Sequence, residues 1–296
     1  MTGPEAPAPG PERWREAARI AAGARELGLR LAVPGARRRE VAEAIEGYVR
    51  DHGAEPAFPA NLSRNHEAAH YTPDDEDEVR LAPGDLLKVD VGAHLDGAVA
   101  DTADTLEVGG TRRHAHLIAA VHEALGAGVR AVRAGGAVDD VSRAIAGAIH
   151  ARGLKPVRDL TGHTIERYVL HAGKSIPNVP GLSDARFVEG EVVAIEPFAT
   201  NGEGRIANGP FGHIVRFRRP PPPDDAQLTR LFERFRTLPF TARWARSPEE
   251  RDALARARRL LQTYPVFLER GGGLVAQAEH TVLVGAAGAE LLTALP

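Results

Sequence analysis

Asp90 and Asp101 stand in the stretch 86–105, LLKVDVGAHLDGAVADTADT. Asp96-Gly97 at its middle is a dipeptide favoured in tight hairpin turns, where both central residues take positive φ. With those two as the turn, cross-strand partners sum to 193, so Asp90 faces Ala103 and Asp101 faces Gly92. Side chains alternate faces along a strand, which puts 90, 92, 101 and 103 on one face and makes the two aspartates diagonal neighbours. Gly92 and Ala103 are small, and open space is expected beside them. Carboxylates this close repel unless a cation or a proton sits between them. The bland alternative is one Asp capping the turn and the other solvated, since Asp is common near turns. Apolar flanks weigh against it: Leu86, Leu87, Val89 and Val91 on one side, Ala98, Val99 and Ala100 on the other. A buried carboxylate there needs compensation, and a metal is one common form.

Three further ligand-type residues lie in apolar or glycine-flanked settings: His163 after Gly162, Glu196 at the end of EGEVVAIEPF, and Glu279 inside AQAEHTVLV. Each alone reads equally well as a satisfied core histidine or a glutamate paired with one of the many arginines. Together, four carboxylates and an imidazole would hold two divalent ions, with shared carboxylates bridging them. Two adjacent cations lower the pKa of a water between them, so a hydroxide nucleophile exists near neutral pH. The chain has no cysteine, which excludes disulfides and thiolate ligands. His, Asp and Glu donors point to a hard or borderline dication, and Mn, Fe, Co and Zn all suit them.

The elements that must position these groups are readable in outline. The 296 residues, 43% hydrophobic, suffice for one large α/β domain or two small ones. With 37 Lys+Arg against 40 Asp+Glu the net charge is −3, which argues against a general nucleic-acid binder and gives no reason to expect specific DNA binding. No signal peptide and no membrane-length apolar run is found, so the default compartment is cytoplasm. Residues 1–12, rich in Pro, Ala and Gly, read as a flexible start. Helical stripes run over 13–29 and 38–51 before any strand. Residues 56–73, PAFPANLSRNHEAAHYTP, hold three prolines and read as a shaped loop that includes His70; the acidic run 74–77 reads as a solvated turn. After the hairpin, helical stripes recur over 111–133 and 138–151, and the repetition of helix, helix, strands predicts two halves built alike. Residues 201–212 read as turn-like, and 213–217 as a short strand. A stiff proline tract from 218 opens an inserted helical subdomain over 218–270, with helices at 225–238 and 247–264, Ser247 and Glu250 in a capping box, and arginines on a solvated face. The catalytic domain is then 13–217 plus 271–296.

Five stretches carry a resemblance: AFPANLSRNHEAAHYTP, KVDVGAHLDGAVADTA, GHTIERYVLHAG, AIEPFAT and AQAEHT. In this order, from residue 57 to 281, they resemble the second-type methionine aminopeptidases, the archaeal and eukaryotic class of the pita-bread superfamily that also holds prolidase and aminopeptidase P. The implied fold class is α/β (α+β), a pita-bread fold with pseudo-two-fold halves; the 83-residue interval from Glu196 to Glu279 holds the insert that marks the second type. By this resemblance Asp90 chelates one metal, Asp101 bridges both, His163 and Glu196 bind the other, and Glu279 bridges again. His70 and His171 contact the substrate, and Glu196 takes a proton from the water. Phe58, Leu170 and His213 line the pocket for the methionine side chain. The implied activity is removal of the N-terminal methionine from nascent proteins when the second residue is small, a metal-bridging hydroxide attacking the first peptide carbonyl. The enzyme is expected to be a cytoplasmic monomer, with ribosome contact left open.

Two departures stand out. The last motif is usually AQFEHT, and Ala278 replaces the aromatic beside Glu279; the loop after NLS carries Arg64 and His66, at a rim that sets peptide preference. Two other readings compete. One is a proline-specific peptidase of the same fold, weakened by the short region before the catalytic half. The other is a binding protein that kept the fold and lost its metals, weakened by the intact five-residue set.

Overall fold

Two helices precede any strand in a computed structural model that describes residues 9–294. α1 (Pro11–Leu31) and α2 (Arg38–Asp51) turn their apolar stripes inward, Ile20, Ala21 and Ala24 on the first and Val41, Ile45 and Val49 on the second. α1 starts at Pro11, where the missing N–H is no loss at a first helical position. Residues 11 and 12 are therefore helical rather than part of a flexible start, and residues 1–8 lie outside the described range.

The loop expected over 56–73 is largely strand. β1 (Glu55–Arg64) and β2 (Glu67–Ala69) occupy it, and β1 pairs antiparallel with β3 (Leu86–Leu95) as the edge of the main sheet. Register shifts fall between Pro56 and Phe58 and between Phe58 and Asn61. Proline lacks a ladder donor and is tolerated at an edge and at bulges, so the prolines disguised a strand. Asp77 in the acidic run is buried rather than solvated, accepting from the Tyr71 hydroxyl and from Val79 N. β3 and β4 (Ala98–Glu107) form the expected hairpin, with Asp90 opposite Ala103 and Gly92 opposite Asp101. The turn residues Asp96 and Gly97 have φ of 51° and 87°.

The second half repeats the plan. α3 (Ala115–Ala131) and α4 (Val138–Ala151) precede the strands β5 (Lys155–Pro156), β6 (Thr161–Ile165), β7 (Ser175–Pro177), β8 (Val192–Ile195) and β9 (Phe198–Thr200). β10 (Ile206–Phe217) begins seven residues earlier than the expected strand at 213. Then come α5 (Ala226–Phe235), α6 (Pro248–Arg256), β11 (Leu261–Glu269), β12 (Val275–Gln277), β13 (Glu279–Val284) and β14 (Ala289–Leu291). The main sheet runs β1-β3-β4-β13-β8-β6-β7, with β14 also paired to β13, so three strands of the first half meet the strands of the second at β4 and β13. Each half has its own apolar core under its own helix pair. Alternation sends Val89 and Val91 to α1 and α2, and leaves Asp90 on the opposite face.

The insert packs on aromatic rings: Phe235 and Phe240 stack at 4.3 Å, and Phe217, Leu228, Leu231 and Leu254 complete its core. Ser247 Oγ caps α6 by accepting from Glu250 N, while the Glu250 carboxylate reaches back to Arg246 N. The stretch 261–269, expected inside the insert, is β11, which pairs with β10 and with β2 of the catalytic body. Nor are the insert's arginines all solvated. The Arg243 side chain is buried against α2, donating through both terminal nitrogens to Glu46 at 2.8 Å, and Trp244 Nε1 donates to the same carboxylate at 2.7 Å. Leu238 packs with Phe58 and Leu170, so the insert forms part of the wall described next.

Candidate active site and metal centre

The sheet centre gathers the acidic groups. Ala103 of β4 lies opposite both Asp90 of β3 and Glu279 of β13, which puts the two carboxylates on one face with a methyl between them. Asp101 shares that face by the period of two. Glu196 follows the last residue of β8, and His163 on β6 pairs with Ala194 of β8. His163 Nε2 consequently stands 3.6 Å from Asp101 Oδ2 and 3.5 Å from Glu196 Oε1. One ligand atom each from Asp101, His163 and Glu279 lie within 4.8 Å of one another. Backbone clamps hold the strands: Asp101 N donates to Thr281 Oγ1 at 2.8 Å, and that hydroxyl donates to Asp101 O at 2.7 Å.

Gln277 was missed from sequence. Its Nε2 donates to Glu279 Oε2 at 3.2 Å and reaches Asp90 Oδ2 at 3.5 Å. It lies two residues before Glu279, and strand alternation alone would have put it on the same face.

The electrostatics of the cluster are those of a cation-binding site. Among the described residues, no Lys or Arg pairs with any of the four carboxylates; their ion-pair partner is His163. Asp90 Oδ1, Asp101 Oδ1 and Glu279 Oε1 are buried with no hydrogen-bond partner. Buried polar atoms are rarely left so, and three such oxygens on the adjacent strands β3, β4 and β13 call for an acceptor of their lone pairs. Burial drives the Asp101 carboxyl up to about 7. Asp90 is pushed well above its ordinary value by burial and then by the Asp101 charge. Burial and the neighbouring carboxylates do the same to Glu196 and Glu279. His163 is pulled down to about 4 by burial, so its ring is neutral near pH 7, the form that ligates metals. An oxygen-rich set with one neutral imidazole fits a hard or borderline divalent cation.

A cavity of about 190 Å³ opens over this floor. Asp90, Asp101, His163, Glu196 and Glu279 all line it, together with His70, His171, Phe58 and Leu170. The His171 ring packs tilted against His163 at 4.3 Å, and its pKa falls to about 3 through burial, then the His163 and Arg216 charges. His70 has φ of 65°, packs at 4.5 Å on Phe267 and 5.3 Å on Tyr264, and falls to about 3 through burial and His171. Leu160, Phe198, Ile214, Phe267, Asn61 and the insert's Pro239 are among the other residues of the wall.

Two expectations need correction. His213 is not among the lining residues; its neighbour Ile214 is. His213 sits at φ of 61° beside a register shift between Phe211 and Ile214, and its ring goes to Phe211 at 5.2 Å, with Nδ1 3.6 Å from Asp74. A bulge re-aims side chains, and here it turns His213 away from the place the family resemblance implied. The open space expected beside Gly92 is instead taken by Phe58. Arg64 and His66 do not line the cavity either; Arg64 is held by Asp85 and Glu67.

The chain can be set beside known proteins on this geometry. The profile of Metallopeptidase family M24 matches residues 12–286. A methionine aminopeptidase of Pyrococcus abyssi is 44% identical over 280 residues, 91% of this chain and 94% of that one. One from Methanocaldococcus jannaschii is 38% identical over 291 residues, covering 96% and 98%. A crystal structure of methionine aminopeptidase from Thermotoga maritima superposes with a TM-score of 0.73 over 98% of this chain and 99% of that one; at 23% identity it speaks for the pita-bread fold alone. The chain belongs to metallopeptidase family M24 and, within it, to the methionine aminopeptidases.

Proposed function

We propose that this chain is a dimetal aminopeptidase that removes the N-terminal methionine from peptides with a small second residue. One observation carries the reading: two buried carboxylates (Asp101, Glu279), two half-buried ones (Asp90, Glu196) and a neutral imidazole form the floor of one cavity, with three carboxylate oxygens unpartnered. Asp90 and Asp101 would hold one divalent cation, His163 and Glu196 the other, with Asp101 and Glu279 reaching both. When bound, such cations polarise a scissile carbonyl and lower the pKa of a water.

The chain's own groups supply the rest. The acidic floor favours the positive charge of a free α-amine, which selects a peptide N-terminus over an internal bond. Glu196 takes the proton from the attacking water at a carboxylate oxygen and returns it to the leaving amine. His171 and His70, both neutral near pH 7, each offer one N–H to the developing oxyanion without adding charge. Phe58, Leu160, Leu170, Phe198 and Phe267 give an apolar, largely aromatic wall. An unbranched thioether fills irregular apolar space well and gains sulfur–aromatic contacts. Crowding by His70, His171 and Tyr264 about the floor favours a small residue after the methionine. The substrates are then N-terminal peptides of new proteins, met in the cytoplasm by a monomeric enzyme. Among the described residues no helix is long and apolar enough to cross a membrane.

The test is to load the full chain with Mn, Fe, Co or Zn in turn and offer Met-Ala, Met-Leu and Ala-Pro peptides. Release of methionine from the first alone is the expected result. Cleavage of Ala-Pro instead, or no turnover with any of the four metals, would overturn the reading.

A further inference from the structure

A second cavity, about 370 Å³ in volume, lies where the two halves meet. Its walls come from α1, α3, β4, β13 and β14. Ala278, just before β13, and His280 on it line the cavity, and by alternation they point away from Glu279, so this space is on the helix side of the sheet, opposite the acidic floor. It exists because small residues face the seam. Gly126 of α3 is one; Ala278, at the position where the resembled AQFEHT motif carries an aromatic, is the other.

The deep end carries an unmet donor. Arg25 is 7% exposed. Its Nη1 donates to Thr102 Oγ1 at 2.6 Å and its Nη2 to Glu26 at 3.0 Å, while Nε is buried with no partner. His280 gives Nδ1 to Thr293 Oγ1 at 2.8 Å, which leaves Nε2. The acidic group on this wall, Asp104, is already engaged by His122 Nε2 at 2.6 Å. Arg130 adds positive charge at the open rim, and Leu125, Val129 and Leu291 make the remaining lining apolar. An apolar pocket with a few convergent donors is the usual form of a small-molecule site.

We propose that this seam cavity binds a small carboxylate with an apolar body. One carboxylate oxygen meets Arg25 Nε, the rim charge of Arg130 draws the anion in, and the body rests on Leu125, Val129 and Ala278. The site is separate from the peptidase centre, but Arg25 is joined to it: Thr102 Oγ1, which accepts from Arg25, donates to Glu279 O at 2.9 Å. The proposal does not depend on the peptidase reading.

The probes are benzoate and 3-methylbutanoate, with neutral benzamide and inorganic phosphate for comparison. Calorimetric titration and thermal melts are run on the full chain, chelator-treated and metal-loaded. Saturable binding of both carboxylates is expected in both states, with Tm raised by roughly 3 °C at ten times the Kd. Benzamide should not bind, and phosphate should bind at least about tenfold more weakly, because it lacks the apolar contacts. Ala278→Phe fills the cavity and Arg25→Met removes the donor; each should weaken benzoate about tenfold or more while the ligand-free melt stays cooperative. Absence of saturable binding overturns the site. So does binding seen only with metal present, which assigns the carboxylate to the acidic floor, or phosphate binding tighter than benzoate. Wild-type affinity in Ala278→Phe, or in Arg25→Met should the first variant not fold, overturns it equally.

Discussion

The ring of Phe58 occupies the space that a side chain at Gly92 would need. A Cβ at position 92 would overlap that ring and come within 3.0 Å of Ala57 Cβ. Gly92 lies opposite Asp101 in the hairpin, and Phe58 lines the cavity, so one missing methyl sets the distance between the acidic floor and an apolar wall. Gly92→Ala should push Phe58 into the cavity at an overpacking cost of about 1–3 kcal/mol. The expected outcome is a roughly tenfold rise in KM for a Met-Ala peptide, since one decade corresponds to about 1.4 kcal/mol, with metal content unchanged. Peptide kinetics beside metal analysis checks this, and a wild-type KM would show that Phe58 has room to yield.

Asp101 is the carboxylate whose neighbours are His163, Glu279 and Asp90. Asp101→Asn keeps the shape and removes the charge. Metal bound per chain should fall by at least one equivalent, and kcat/KM by roughly 10³, the scale of several kcal/mol lost from the transition state. In chelator the same variant should melt higher than the wild type, because like charge in a buried site is relieved. Elemental analysis and paired melts read both effects; full metal loading in the variant would remove Asp101 from the centre.

Local rules made the hairpin legible: a turn dipeptide and a period of two fixed the register of Asp90 and Asp101 to the residue. The same rules hid β1, since Pro56 and Pro59 mimic a loop although an edge strand with two bulges tolerates them. They also misplaced the end of the insert. The helix expected over 247–264 ends at Arg256, and β11 begins at Leu261, pairing with β10 across a long stretch of chain. Glu279 could be suspected from its apolar setting, yet its place beside Ala103 depends on β13 returning after the insert to lie along β4, a contact that no local pattern encodes. His213, placed at the pocket by the family resemblance, sits instead at a local backbone twist beside a register shift, and its ring turns to Phe211.

His70 and His171 flank the cavity, and both are kept neutral by burial down to about pH 3. His70 sits at φ of 65°, a region that Asn tolerates better than Ala, so His70→Asn is the cleaner probe. Each of His70→Asn and His171→Gln should lower kcat by roughly 10²-fold or more, the usual loss for one oxyanion donor or proton carrier, with metal content intact. Neither ring titrates between pH 5 and 8, so the pH profile of the residual activity should keep the wild-type shape. A shifted profile, or lost metal, would place the altered histidine among the metal-holding groups.

Chelation should make stability depend on pH in a defined sense. Asp101 holds its proton up to about 7 in the folded chain, and burial raises Asp90, Glu196 and Glu279 as well. A raised folded-state value means the folded chain binds protons the unfolded chain has released. Stability is then fullest below the ordinary carboxylate value of 3.8 for Asp101 and is lost as pH rises through about 7. A tenfold difference in proton affinity between the folded and unfolded chain corresponds to about 1.4 kcal/mol, so the cluster should cost the chelated protein several kcal/mol between pH 5 and 8. Divalent cations favour the charged carboxylates and reverse this, so metal binding should tighten over the same interval as protons leave. Urea unfolding in EDTA and in excess Mn, at pH 5 and pH 8, measures both trends. If the chelated protein holds its midpoint across that range as well as the loaded one does, the four carboxylates are not the strained group that the cations relieve.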